Sequence, residues 1–263
     1  MISRIEDKFH DLQKNDQKGF GVFLTAGFPT FDSSLDIFKI ILDAKADFIE
    51  IGLPFSDPMA DGPLIQQSSE VAIKQNTSVE TCFRLVEKIR KINKEIPIIL
   101  MGYYNPIHYY GNLKFIKNAM SFGIDGLIIV DLPMEEDEEF YNLSSKNGLP
   151  LIRLVTPTTD ERRLKKILKD AKGFVYYVSV TGITGTKSAS VKHVNNKLKI
   201  LKKFTPLPII TGFGIKTPLD AKRMSGVSDG IVIGSVLVEK INEVYKHKNG
   251  KEKIFNFLKS FKQ

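Results

Sequence analysis

Residues 20–52 read FGVFLTAGFPTFDSSLDIFKIILDAKADFIEIG. FGVFLTA (20–26) and FIEIG (48–52) are near-continuous apolar runs of strand length, and between them Leu35, Phe38, Ile41 and Leu42 recur at helical spacing. A strand covered on both faces, a helix and a second such strand mark a parallel sheet with helices packed over it. The unit recurs along the chain. PIILMG (97–102), DGLIIVD (125–131), PLIRLVT (150–156), FVYYVSV (174–180), PLPIITG (206–212) and DGIVIGS (229–235) supply six further runs, and Leu164, Ile167 and Leu168 give the helix after the fifth. Eight βα units predict an α/β fold, a TIM (β/α)8 barrel, with a doubly wound open sheet as the alternative.

Two additions to the plain barrel are expected. The interval between the second and third strands holds two amphipathic stretches, roughly 63–75 and 78–92, which predicts an inserted helix. In residues 2–14, Ile5, Phe9 and Leu12 lie at helical spacing and predict an N-terminal extra helix that plugs the bottom of the barrel. The C-terminal KEKIFNFLKSFKQ carries Ile254, Phe257, Leu258 and Phe261 on one face; a barrel-closing helix is the reading, with a membrane-surface helix as the alternative. EEDEE (135–139) opens a helix, where carboxylates oppose the positive end of the macrodipole, and reads as a solvated face. With no linker, low-complexity tract or shift in composition, residues 1–263 are expected to form one barrel domain.

Charge and composition restrict the partners. The 38 basic and 30 acidic side chains give a formal charge of +8, which favours anionic ligands without naming one. No stripe of interleaved aromatic and basic residues points to nucleic acid. The single cysteine, Cys82, excludes an internal disulfide and a cysteine-based zinc cluster, and His10, His108, His193 and His247 are scattered without carboxylates at ligand spacing. The N-terminal residues have no apolar signal core, and the uncharged stretch 96–113 is broken by Pro97, Gly102 and Pro106, so no membrane span and a cytoplasmic location are expected.

Several motifs invite a chemical reading. GVSDG (226–230) matches G-x-S-x-G, but it leaves a helix and enters a strand, the reverse of a nucleophile turn, so Ser228 is not expected to be a nucleophile. GITGTKS (182–188) lacks the adjacent Gly-Lys of a phosphate loop. Glu50 is different, because it sits inside an apolar strand on the face of Phe48, opposite Ile49 and Ile51. If that face points into the barrel, desolvation raises the carboxyl pKa toward neutrality, as a general acid or base requires. The loop LPFSDPMADGP (53–63) holds three prolines and two aspartates; Asp57 can be read as a turn residue and Asp61 as a helix cap or as a second functional acid. TGITG (181–185), TGFG (211–214) and Gly234–Ser235 follow the last three strands, where barrels commonly bind phosphate. The small, polar TGITGTKSAS (181–190) is expected to be a mobile segment that closes over a substrate.

FIEIGLPFSDPMADGP (48–63), with MGYYNPI, VTGITG and the two glycine loops, closely resembles the tryptophan synthase α subunit family over essentially the whole chain. The resemblance implies a TIM barrel that cleaves indole-3-glycerol phosphate to indole and glyceraldehyde 3-phosphate in tryptophan biosynthesis. It also implies a β subunit partner that carries pyridoxal phosphate, in an α2β2 heterotetramer, and no cofactor in this chain. Carried across, the family's catalytic acids fall on Glu50 and Asp61, and Tyr176 lies near the reacting side chain. Phosphate contacts fall on Gly185, Gly214, Gly234 and Ser235; Phe23, Tyr103, Ile128 and Phe213 line the indole pocket; Thr184 matches a threonine that engages the catalytic aspartate on closure. Two residues depart from the family pattern: Gly102 replaces a larger residue and Thr211 a small apolar one, which bears on pocket dimensions. The remaining alternatives are a phosphate-ester-binding activating subunit with weak catalysis of its own and another phosphate-binding barrel enzyme such as an isomerase.

Overall fold

A computed structural model describes residues 3–178, 191–212 and 214–262. Helix α1 (Arg4–Lys14) precedes β1 (Gly19–Thr25), α2 (Phe31–Asp43) and β2 (Phe48–Gly52). The two stretches foreseen after β2 are α3 (Pro63–Lys74) and α4 (Val79–Ile92), followed by β3 (Ile98–Gly102). A second doubling, not foreseen, places α5 (Tyr104–Tyr110) and α6 (Asn112–Phe122) before β4 (Gly126–Ile129). The chain continues through α7 (Glu138–Asn147), β5 (Arg153–Val155), α8 (Glu161–Lys169), β6 (Val175–Val178) and α9 (Val191–Leu201). It ends with β7 (Ile209–Gly212), α10 (Pro218–Ser225), β8 (Gly230–Ile233), α11 (Ser235–Val244) and α12 (Gly250–Phe261).

All paired strands are parallel, in the order β4-β3-β2-β1-β8-β7-β6-β5, so β1 lies beside β8. The remaining seam is closed by a bridge between Leu127 and Leu151, with Leu127 N–H donating to the Pro150 carbonyl and Ile152 N–H to the Leu127 carbonyl. Closure distinguishes a barrel from the open-sheet alternative. The fifth run, expected over 150–156, narrows to Arg153–Val155 because Pro150 has no N–H to offer and only Leu151 bridges to β4.

Alternation along the strands sorts the core into two layers. Ile49 and Ile51 face the helices, whereas Phe48 faces the barrel interior with Ile99, Ile128, Tyr176, Ile210 and Val232. The bottom is plugged by α1, whose Ile5, Phe9 and Leu12 are buried in this inner cluster. Phe9, Phe48 and Phe174 form a ring triangle with all three centroid separations at 5.7 Å. Burial of each such side chain is worth roughly 1.5–3 kcal/mol. A capping box between Ser3 and Glu6 starts α1 where the plug must begin.

An aspartate placed just before three strands fixes the bottom rim. Asp47 accepts from Phe20 N–H at 2.9 Å, Asp125 from Ile98 N–H at 2.8 Å and Asp229 from Ile209 N–H at 2.7 Å. Each carboxylate ties a strand entry to its neighbour, and each also meets a cation: Lys262, Arg90 with Arg4, and Lys202 respectively. Ser228 belongs to this rim. Its hydroxyl is buried and donates to the Met224 and Gly230 carbonyls, as expected of a turn residue rather than a nucleophile. EEDEE corrects the sequence reading in part, because Asp137 is buried and ion-paired with Arg153 while Glu135 pairs with Arg163 at 2.9 Å. The acidic run therefore anchors α7 to β5 and α8. Helix α12 packs on α2 and α11 with Ile254, Leu258 and Phe261 buried, so it closes the barrel wall. Among the described residues no helix is long and apolar enough to cross a membrane.

Candidate active site

A cavity of about 320 Å³ opens at the C-terminal end of the barrel, near the lower bound for small-molecule sites. Phe23 of β1, Glu50 of β2, Met101 of β3, Tyr176 of β6 and Val232 of β8 line its inner part. Asp61 and Ile65 border it from the β2–α3 connection and α3, and Gly214, Gly234 and Ser235 from the connections after β7 and β8. Residues far apart in sequence are thus gathered by one topological rule, that the connections after parallel strands meet at one end.

Glu50 is fully buried, and among the described residues neither carboxyl oxygen has a hydrogen-bond partner. Desolvation alone pushes its pKa up to about 8, so the group is held mainly as the neutral acid at pH 7. Its neighbours in register are Phe23 and Ile99, which offer no compensating polarity. Glycines make room for the aromatic groups around it. A Cβ on Gly212 would collide with the Tyr176 hydroxyl, and a Cβ on Gly52 with the Phe23 ring. Tyr176 itself is buried, and burial together with the nearby Glu50 and Asp61 keeps its phenol protonated.

Asp61 is not the cap of α3. Gly62 occupies that position without a side-chain cap bond, and Pro63 is the first helical residue. The Asp61 carboxylate is instead directed to Tyr103, whose hydroxyl donates to Oδ2 at 3.1 Å and accepts from Ala60 N–H at 3.0 Å. Desolvation raises its pKa to about 6 against the opposing effect of the Tyr103 bond, so it is mostly ionised at pH 7. The connection is braced locally: Asp61 N–H donates to the Pro58 carbonyl at 3.0 Å, and Gln66 Nε2 to the Asp61 carbonyl at 2.8 Å. Among the described residues Asp57 accepts from the Ser56 hydroxyl and the Met59 N–H, in keeping with a turn residue.

Neither departure is among the residues lining the main cavity. A Cβ on Gly102 would meet Leu53 Cβ at 2.9 Å, so Leu53 fills the space of a larger residue there. Thr211 turns its hydroxyl toward Ser228 and the Gly230 carbonyl at 3.2 and 3.3 Å. Gly102 borders a small pocket behind Asp61 with Leu53 and Tyr103. Ile128 sits in the inner core cluster rather than among the cavity-lining residues, and Tyr103 borders only that small pocket. Thr184, Gly185 and Phe213 lie outside the described residues. Met101, Val232, Ile65 and Lys216 were not anticipated as cavity residues; inward parity with Ile99 and Gly230 would have marked the first two.

With this arrangement in view, comparison with known proteins is decisive. Residues 9–263 match the family described as tryptophan synthase alpha chain. This chain belongs to that family. Tryptophan synthase subunit alpha from Legionella pneumophila str. Paris is similar to it at 34% identity and a TM-score of 0.92, over 99% of this chain and 97% of the other. A structure from Aquifex aeolicus VF5 is similar at 36% identity and a TM-score of 0.91, over 99% and 98%. Tryptophan synthase from M. tuberculosis, in an aminoacrylate-bound form, is similar at 25% identity and a TM-score of 0.88, over 99% and 98%. Tryptophan synthase alpha chains are carbon–carbon lyases of tryptophan biosynthesis that cleave indole-3-glycerol phosphate and need no cofactor of their own.

Proposed function

We propose that Glu50 and Asp61 carry the cleavage of indole-3-glycerol phosphate to indole and glyceraldehyde 3-phosphate in this chain. The observation that carries the reading is the contrast between two acids on one cavity: a buried, unpartnered, mainly neutral Glu50 and a mostly ionised Asp61 held by Tyr103. Glu50 protonates C3 of the indole ring, and Asp61 stabilises the positive charge that develops at the ring N–H. The Glu50 carboxylate then takes the proton of the side-chain hydroxyl beside the scissile bond. That C–C bond breaks, its electron pair returns to the ring, and the hydroxyl carbon becomes the aldehyde. One proton enters and one leaves, so neither water nor an external redox partner is consumed.

Phe23 and Tyr176, with Met101 and Val232, form the apolar wall for the ring, while Gly214, Gly234 and the N-terminus of α11 at Ser235 receive the phosphate. Gly214 has φ +78°, a conformation that a side chain would strain. By the family pattern Thr184, Gly185 and Phe213 complete the site, with Tyr103 behind Asp61.

The same reading makes this chain one domain and the cytoplasmic α subunit of an α2β2 heterotetramer with a pyridoxal-phosphate β subunit. Met59 on the β2–α3 connection and Tyr109 in α5, 78% and 93% exposed, suit such a partner. Indole release from indole-3-glycerol phosphate, measured with and without a β subunit, tests the proposal. An inert wild-type protein under both conditions would overturn it.

A further inference from the structure

We infer that the side chain of Lys216 contacts the phosphate of the substrate and sets its affinity, an inference that rests on placing the phosphate beside Gly214, Gly234 and Ser235. Lys216 is the one cation among the described cavity-lining residues, and it lies two residues beyond Gly214 on the connection from β7 to α10. The other ionisable groups among the described lining residues are the mainly neutral Glu50, Asp61 and, at the exposed rim, Glu239. A doubly negative phosphate entering past Glu239 meets repulsion that backbone amides offset only in part. A lysine on the facing connection supplies the missing opposite charge.

The backbone under Lys216 is fixed for that task. Its N–H donates to Asp220 Oδ2 at 3.3 Å, the next N–H, of Thr217, donates to the same oxygen at 3.0 Å, and Thr217 and Asp220 form the capping box of α10. The side chain therefore starts from a constrained point between Gly214 and α10. Ser235 opens α11 behind Gly234, and no side chain caps that terminus, so amides and ammonium approach the phosphate from different elements.

Substitutions at Lys216 and Glu239 test this. Lys216→Gln should weaken binding of glycerol 3-phosphate about tenfold, equivalent to about 1.4 kcal/mol, and raise KM with kcat little changed. Lys216→Arg should retain most of the affinity, and Glu239→Gln should tighten binding severalfold. The wild-type advantage over Lys216→Gln should shrink as salt is raised. Binding is read by titration with glycerol 3-phosphate and with glycerol as the uncharged control. Equal glycerol 3-phosphate affinity in wild type and Lys216→Gln overturns the assignment of Lys216 while leaving the phosphate site intact. Failure of wild type to prefer glycerol 3-phosphate over glycerol overturns the phosphate site as well.

Discussion

The Tyr103 hydroxyl donates to Asp61 Oδ2 at 3.1 Å while accepting from the Ala60 amide at 3.0 Å, so its proton has one direction in which to point. The amide occupies an acceptor lone pair, and the carboxylate takes the O–H. The bond favours the ionised form of Asp61 and opposes the desolvation that raises its pKa. Phe55 packs on the Tyr103 ring at 5.2 Å and helps to hold it.

Tyr103→Phe should therefore raise the pKa of Asp61 further. A hydrogen bond to a charged group is worth about 1.5–3 kcal/mol, so a shift on the order of one pH unit is expected in the acid limb of indole release. The pH profile of kcat/KM for wild type and variant measures it. An unmoved acid limb would show that Tyr103 does not set the ionisation of Asp61.

The two acids also predict the shape of the wild-type profile. Activity needs Asp61 ionised and Glu50 protonated, with pKa values raised to about 6 and about 8. A bell with its maximum near pH 7 follows. Glu50→Gln cannot exchange the proton and should lose at least about 10²- to 10⁴-fold in turnover with binding largely kept. Near-normal indole release by the folded variant would remove Glu50 from the mechanism.

The strands were legible because burial on both faces leaves continuous apolar runs, and Glu50 stood out as a charge inside one of them. Asp61 was ambiguous for a physical reason: an acid just ahead of Gly-Pro and a helix suits a cap or a ligand equally, and only the direction of its side chain decides. The α5–α6 pair was hidden because Pro106 lies in the first turn of α5, where its missing N–H costs nothing, and Gly111 at φ +97° turns the chain between the helices. Met101 and Val232 were concealed by the same apolar runs that revealed their strands. Lys216 was one lysine in a basic chain, and its place beside the cavity depends on how the connections fold.

Away from the cavity, Asp125→Ala should test the bottom rim. Asp125 serves Arg4, Arg90 and the Ile98 amide together, and its side chain is only 6% exposed. Removing it leaves the Arg90 guanidinium without its carboxylate in a largely buried site, a change that costs about 3–5 kcal/mol. Denaturant unfolding should show that loss, while kcat of the folded fraction stays close to wild type because the rim lies at the opposite end of the barrel from Glu50. A loss below about 1 kcal/mol would reduce the network to an exposed ion pair.

The same Glu50 substitution that abolishes activity should stabilise the fold, and the effect should depend on pH. In the unfolded chain Glu50 ionises around its ordinary value of 4.5, whereas in the native barrel burial holds it neutral up to about 8. Below pH 4.5 both states bind the proton and the site contributes nothing to the pH dependence. Between those values the unfolded state has released a proton that the native state retains, so stability falls as pH rises. At pH 7 the accumulated penalty is about 3 kcal/mol, and it levels off above pH 8 once the native carboxyl also ionises. Gln has no such equilibrium. Melting curves for wild type and Glu50→Gln should therefore lie close together at pH 4 and diverge toward pH 8, with the variant the more stable. A difference that stays constant across this range would mean that Glu50 is not held neutral in the native barrel.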